Sequence, residues 1–244
     1  FALDPDEVAR RITPRTKVLL LISPNNPTAG VTPPEWVRGL AALAVERDLI
    51  VIADEIYEKF IYDDALHVSV ASLPGMAERT ITLNGVSKTY AMTGWRIGYL
   101  AAPASFIRAA TALKEMVNVQ APTVSQWAAA AALDGPQECV EEVRLKYQNR
   151  RNVLARGLQE AGWMVEVPKA SMYIWAKIPD AYASLGSLEF AKKLMADAKV
   201  SVSPGIGFGD FGDGFVRFAL IENESRSRQA VRGIKEMFRK DGLR

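Results

Sequence analysis

Lys17-Val18-Leu19-Leu20-Leu21-Ile22 leads without a break into Ser23-Pro24-Asn25-Asn26-Pro27-Thr28-Ala29-Gly30, and this junction of an apolar run with a polar, proline-rich loop sets the architecture. A run that is apolar at every position after its lysine reads as a strand buried on both faces of a parallel sheet. A helical pattern follows. Thr32 is placed to cap it, Pro33 falls in its first turn, and Glu35 stands three residues on. Trp36, Val37, Leu40, Leu43 and Ala44 make one apolar stripe that ends near Arg47. Leu49 to Ala53 is a second buried run, Thr80 to Leu83 a shorter third, and Arg96 to Ala102 a fourth. Apolar strands alternating with helical patterns are how βα units read, so the expected fold class is α/β with a mostly parallel sheet.

Outward from this region the pattern changes. From about Ser105 it is helical through Leu113, Trp127, Leu133, Val140, Val143, Tyr147, Val153 and Leu158, punctuated by Gly135 and Pro136. Beyond it, shorter strands at Trp163 to Val167, Ser171 to Ile178, Val200 to Val202 and Phe215 to Leu220 mix with helices around Glu189 to Ala198 and Arg226 to Lys240, the last one started by Ser225. The expected organisation is a large domain over 1–138 and a smaller C-terminal α+β domain over 139–244.

Composition narrows the function. The 244 residues carry 30 basic and 28 acidic side chains, a net charge of +2. So small an excess argues against nucleic acid or a membrane surface as the main partner and for small molecules or further copies of the chain. Cys139 is the only cysteine. It excludes an intrachain disulfide and a cysteine-based zinc site and favours a reducing compartment, the cytoplasm. No apolar run approaches the roughly 20 residues of a membrane span.

In an open parallel sheet, the loops at the C-terminal strand ends converge on one edge, where ligands bind. Three of the four strand candidates end in polar residues, delivering Asn26, then Asp54 and Tyr57, then Ser87 and Lys88 to that edge. Lysine is the side chain that forms Schiff bases with carbonyls. Each residue taken singly also has a structural reading: Pro-Asn-Asn-Pro is a common turn, Asp54 can cap the segment after it, and Lys88 can be a solvated loop lysine.

Gly85-Val86-Ser87-Lys88-Thr89-Tyr90-Ala91-Met92-Thr93-Gly94-Trp95-Arg96-Ile97-Gly98 resembles the pyridoxal-phosphate attachment signature of class I/II aminotransferases of fold type I. Asn25-Asn26-Pro27-Thr28 and Asp54-Glu55-Ile56-Tyr57 resemble two further motifs of that family, in the same order. The C-terminal stretches from Val167 to Tyr173, Ser203 to Gly209 and Val216 to Asn223 are similar to bacterial glutamate-pyruvate (alanine) aminotransferases. The resemblance implies pyridoxal 5'-phosphate as cofactor, an amino acid and a 2-oxo acid as substrates, alanine and glutamate first among the amino acids, and a homodimer. It implies that Lys88 holds the cofactor covalently and shuttles a proton, that Asp54 pairs with the pyridine nitrogen, and that Tyr57 and Asn26 hydrogen-bond the ring's 3' oxygen. Arg96 would hold the phosphate, with Ser87 as a lesser contributor, and Arg217 would grip the substrate carboxylate bidentately. Structural readings stand beside the two arginines, since Trp95 and Phe218 adjoin them in the chain. Aspartate, aromatic or methionine transamination and C–S bond cleavage are activities of the same fold, and a non-catalytic cofactor-binding module is the alternative of another class.

Two departures from the family pattern stand out. Gly85 occupies a position that is often a phosphate-holding serine. Family members also carry an N-terminal arm, a glycine-containing phosphate-binding turn and a ring-stacking aromatic residue ahead of the point matching Phe1, so the chain reads as a fragment. Three features read as decoys. Gly207-Phe208-Gly209-Asp210-Phe211-Gly212 satisfies the dinucleotide-binding pattern, but a further strand follows it where that pattern needs a helix. His67 is the only histidine, which rules out a His-rich metal site and leaves it as a loop residue. Cys139 reads as a thiol without a role, and the Met and Trp residues at helical spacing read as core.

Overall fold

The structure, a computed structural model, describes residues 3–243. Phe1, at which the fragment reading begins, lies outside the described residues together with Ala2 and Arg244. The chain forms two compact units. One runs through Asn25 and resumes at Gly30–Arg144; the other combines Asn26–Ala29 with the chain from Leu145 onward.

The first unit is built on a four-stranded sheet in the order β1-β2-β3-β4. Strands β1 (Val18–Ile22), β2 (Ile50–Asp54) and β3 (Thr80–Gly85) run parallel, and β4 (Gly98–Ala101) pairs antiparallel to β3. Helix α1 (Pro5–Arg11) precedes the sheet, and α2 (Pro34–Glu46) connects β1 to β2. Leu21, Val51 and Ala53 from the strands pack with Val37, Leu40 and Ala44 of α2 and with Val70 and Met76 into one core. Only one face is covered this way. Successive strand residues point to opposite faces, so Val18 and Leu20 remain 44% and 54% exposed while Leu21 is buried. The expectation of a first strand buried on both faces therefore fails among the described residues.

Helix α2 also starts differently from the sequence reading. Its N-cap is Pro33, with no side-chain cap bond, and the Thr32 backbone N–H donates to Ser23 Oγ instead (3.0 Å). Consecutive prolines at 33 and 34 lack N–H groups, so fewer orphan donors need a cap. After β3 comes a single turn, α3 (Val86–Thr89), and after β4 the helices α4 (Ala104–Asn118) and α5 (Thr123–Asp134). The expectation that Met and Trp at helical spacing are core is wrong here: Met116 is 86% and Trp127 74% exposed, because no described element covers that side of α4 and α5.

Helix α6 (Glu138–Glu160) carries the chain from the first unit into the second, and Cys139 is exposed near its start. The second unit holds an antiparallel sheet in the order β5-β7-β6, formed by β5 (Tyr173–Lys177), β6 (Ser203–Pro204) and β7 (Phe215–Ala219). Trp163 centres its core, edge-on to Phe190 and Phe218 at 5.5 and 5.4 Å, with its indole N–H donating to the Lys177 carbonyl (2.7 Å). The expected strand over Trp163 to Val167 is absent, since Trp163 is drawn into the core and Gln159 Nε2 bonds the Val165 carbonyl (3.0 Å).

Helix α7 (Gly186–Lys193) runs on into a π-type turn, and α8 (Glu224–Lys240) closes the unit. The cap of α8 is Asn223, whose Oδ1 accepts from the Arg226 N–H (3.0 Å), in place of the expected Ser225. Its far end is clamped. Tyr182 Oη donates to Asp241 (2.5 Å), and Lys193 pairs with Asp241 (3.0 Å) and Asp197 (2.8 Å). The bond from Tyr182 and the Lys193 charge hold the Asp241 carboxyl below the usual range, while burial and that same bond push the Tyr182 phenol up.

Candidate active site

The parallel strands end together. Asp54 is the last residue of β2; its Oδ1 accepts the Ile56 N–H (3.1 Å) and its backbone carbonyl accepts the Ser23 N–H (3.1 Å). The capping reading of Asp54 is thus real, but it uses one oxygen, and Oδ2 bonds nothing among the described residues. Tyr57 follows in a tight turn, buried, with its ring edge-on to Phe60 at 6.4 Å. Ser87 and Lys88, both half-buried, sit on α3 immediately past β3. Among the described residues no group pairs with the Lys88 amine.

Arg96 reaches this end from the other direction. Gly85 stands opposite Gly98 in the antiparallel ladder, so residues just after Gly85 and just before Gly98 share one end of the sheet. A Cβ on Gly85 would meet Gly98 Cα at 3.0 Å and the Ile97 carbonyl at 3.1 Å, which ties the family departure at this position to close strand approach. Arg96 has left-handed backbone (φ 51°), donates Nη1 to the Thr93 carbonyl (3.0 Å) and is exposed, with no carboxylate against it among the described residues. Trp95 does not stack on it.

Arg217 and Asn26 meet in the second unit. Arg217 lies on β7, opposite Trp175 of β5 and Ser203 of β6. Nη1 donates to Asn26 Oδ1 (2.6 Å) and Nη2 to Ser203 Oγ (3.2 Å). The guanidinium lies over the rings of Tyr173 and Phe208, 4.2 and 4.6 Å from their centroids; cation–π attraction of this kind is worth about 0.5–2 kcal/mol. Its Nε is buried without a hydrogen-bond partner, and among the described residues no carboxylate touches it. The expected neighbour Phe218 plays no part, because alternate residues of a strand face opposite sides.

Phe208 belongs to the glycine-rich decoy. Gly209 has φ 115°, a backbone that only glycine adopts readily, and Gly205 abuts Gly212 so closely that a Cβ would collide. These glycines shape two 3₁₀ turns ahead of β7 and open no helix. Their product is the aromatic wall beside Arg217.

Sequence reasoning missed a polar cluster behind Asp54. His67 lies in a loop, as expected, but its side chain is packed: Glu55 Oε2 lies 3.4 Å from His67 Nε2, with side chains 5% and 11% exposed. Glu58 accepts from Asn84 Nδ2 (2.9 Å). The ligand atoms of Glu55, Glu58 and His67 lie within 4.8 Å of one another, and Glu58 is already engaged by Asn84. The only signal in the sequence was the acid spacing after β2; His67 and Asn84 are joined to it by folding alone.

An amine, a carboxylate, a phenol and a guanidinium stand at one end of a mostly parallel sheet, and the chain belongs to the class I and II aminotransferases, whose family model matches residues 1–234. It is 49% identical over 243 residues to the glutamate-pyruvate aminotransferase AlaC of Escherichia coli (strain K12), a match covering all of this chain and 59% of that protein. With the aspartate aminotransferase of Pyrococcus abyssi it shares 43% identity over 246 residues, covering all of this chain and 62% of that one. The chain thus spans about three-fifths of the length of these curated relatives. Among solved structures, the aromatic aminotransferase from Pyrococcus horikoshii OT3 superimposes with a TM-score of 0.94 at 39% identity, covering all of this chain and 65% of that chain. The Thermus thermophilus aspartate aminotransferase with maleate gives 0.89 at 36% identity, covering 97% and 60%. The fold is that of the fold-type-I aminotransferases.

Proposed function

We propose that this chain carries the cofactor and substrate machinery of a pyridoxal-phosphate-dependent aminotransferase, moving an amino group between an amino acid and a 2-oxo acid, with alanine and glutamate as the amino acids. The observation that carries the reading is Arg217, a half-buried cation held by two neutral acceptors between two rings, with a buried Nε left unbonded and no carboxylate in attendance. A guanidinium so placed is prepared for an external carboxylate, which it binds through two parallel hydrogen bonds.

The donor set fits pyridoxal phosphate. When bound, that group supplies an electron sink for cleavage of the Cα–H bond of an amino acid. Lys88, whose amine has no partner among the described residues, holds the cofactor and carries the proton from Cα. Asp54, with one carboxylate oxygen uncommitted, would keep a proton on the pyridine nitrogen. Because Arg217 takes Asn26 Oδ1, the amide is turned so that Nδ2 is left to donate, the polarity that a phenolate oxygen at the 3' position requires. Tyr57 would donate to the ring's 3' oxygen, and Arg96, with Ser87, would neutralise the phosphate. Alanine and glutamate are favoured by the likeness to the E. coli relative.

A homodimer in the cytoplasm completes the proposal. Leu113, Met116, Val117, Val124 and Trp127 leave an apolar surface on α4 and α5 suited to burial against another polypeptide, and among the described residues no helix is long and apolar enough to cross a membrane. The reaction is tested with ¹⁵N-alanine and 2-oxoglutarate: label recovered in glutamate supports it. Release of labelled ammonia without transfer would overturn it.

A further inference from the structure

Asn84 is joined to both turns that carry the proposed cofactor-binding residues. It lies one residue from the end of β3, opposite Tyr99 of β4. Its Nδ2 donates to Glu58 Oε1 (2.9 Å), and its Oδ1 accepts the Gly85 N–H (2.8 Å). Glu58 closes the turn that holds Tyr57, its own N–H bonding the Glu55 carbonyl (2.9 Å). Gly85 is the N-cap of α3, the turn that holds Lys88.

The backbone ladder between β2 and β3 stops at Asp54 opposite Leu83, with one more bond from the Glu55 N–H to the Leu83 carbonyl (3.0 Å). Past that point the two chains diverge into their turns, and the Asn84 side chain continues the connection where the backbone cannot. Glu58 makes a strong acceptor for it, being a carboxylate with only a quarter of its side chain exposed. The Glu58 charge is also felt across the sheet, where it adds to burial in raising the Tyr99 phenol above its ordinary range.

We infer that Asn84 and Glu58 form a latch that fixes the Lys88 turn against the Tyr57 turn, making both of them positioning residues for the amine. The consequence for Lys88 rests on the function proposed above, whereas the latch is testable without it. The pair has a donor and an acceptor in one order, and the chemistry permits the reverse order. Asn84→Asp sets two carboxylates against each other and removes the amide donor, leaving Glu58 with the longer contact to Lys59 Nζ (3.7 Å). Adding Glu58→Gln restores a donor on residue 58, facing an acceptor on residue 84 that still takes the Gly85 N–H.

The experiment uses the whole chain and two readings: amide hydrogen exchange over 84–90, and the rate at which pyridoxal phosphate is captured on Lys88 after borohydride reduction, read by peptide mass. Opposing two carboxylates and losing the amide hydrogen bond at such a site costs enough to speed local opening roughly tenfold or more. Asn84→Asp should therefore raise exchange over 84–90 by about that factor and slow capture, with exchange in β1 unchanged. Asn84→Asp/Glu58→Gln should return both to within about threefold of the unmodified chain. Asn84→Ala, which removes both bonds without adding charge, gives the same local loosening should the aspartate variant fail to fold. Unchanged exchange over 84–90, loosening shared equally by β1, or no recovery in the double variant would each overturn the latch. Normal capture in a chain whose 84–90 segment has loosened would overturn its role in positioning Lys88. If the unmodified chain captures nothing on Lys88, it is the proposed function that fails, and the exchange comparison alone decides the latch.

Discussion

Arg217 concentrates the chemistry of the second unit in one side chain. Its neighbours are two rings, an amide and a hydroxyl, none of which cancels its charge. In the proposed reading, Arg217→Ala should weaken binding of a carboxylate ligand by about 2–3 kcal/mol, roughly 30- to 150-fold, as titrated with a 2-oxo acid. Capture of the cofactor on Lys88 should change little. Equal loss of both would make Arg217 a structural residue. The candidates Lys88, Asp54, Tyr57, Asn26, Arg96 and Arg217 were legible in the chain because each sits in a contiguous motif. Glu58, Asn84, Ser203 and Phe208 were not, because strand register and loop packing bring them to their partners, and no local pattern encodes that. Asn26 lay between the two cases: its motif was visible, but its bond to Arg217, which settles the direction of the amide, joins residues far apart in the chain.

Elements show the same division between local and long-range information. Most helix and strand types followed from period and composition, whereas their ends were decided by side-chain competition. The cap of α8 is a clear instance, since Asn223 and Ser225 are both good N-cap residues and only the backbone entry angle selects the first. Asn223→Ala should cost about 1 kcal/mol, a fall of roughly 2–4 °C in Tm, while Ser225→Ala should leave Tm nearly unchanged. At the other end of that helix, Asp241 titrates below its ordinary range because Tyr182 and Lys193 favour its charged form. A carboxyl whose folded-state pKa is depressed contributes stability above its unfolded value of about 4, and loses it as pH falls through the folded-state titration. The Tm of the unmodified chain should therefore drop more steeply from about pH 4 to about pH 2 than that of Asp241→Asn. Parallel slopes in the two chains would remove the clamp from the account. The missing strand over Trp163 to Val167 has a similar origin. Its alternating pattern was a fair strand signal, but one large ring, Trp163, found more apolar contact in the core than the segment would gain by pairing.

At the scale of the whole molecule, the α/β class was legible from the alternation of apolar runs with helical stripes, and the reach of each covered surface was not. Leu20 and Trp127 look like core residues in the sequence yet stand exposed, because burial depends on what packs over an element, and the described residues supply nothing there. An apolar surface of this kind on α4 and α5 should drive association. Sedimentation equilibrium should return the mass of two chains, and Trp127→Arg should shift it toward one; a monomer at all concentrations would contradict the homodimer. In the proposed function, one lysine at the end of the third strand is the seat of the chemistry. Its most direct test is the mass of the peptide containing Lys88 after incubation of the chain with pyridoxal phosphate and reduction with borohydride. This peptide alone should gain the mass of the reduced cofactor, and Lys88→Ala should abolish the gain. Labelling spread over other lysines, or persisting in Lys88→Ala, would contradict it.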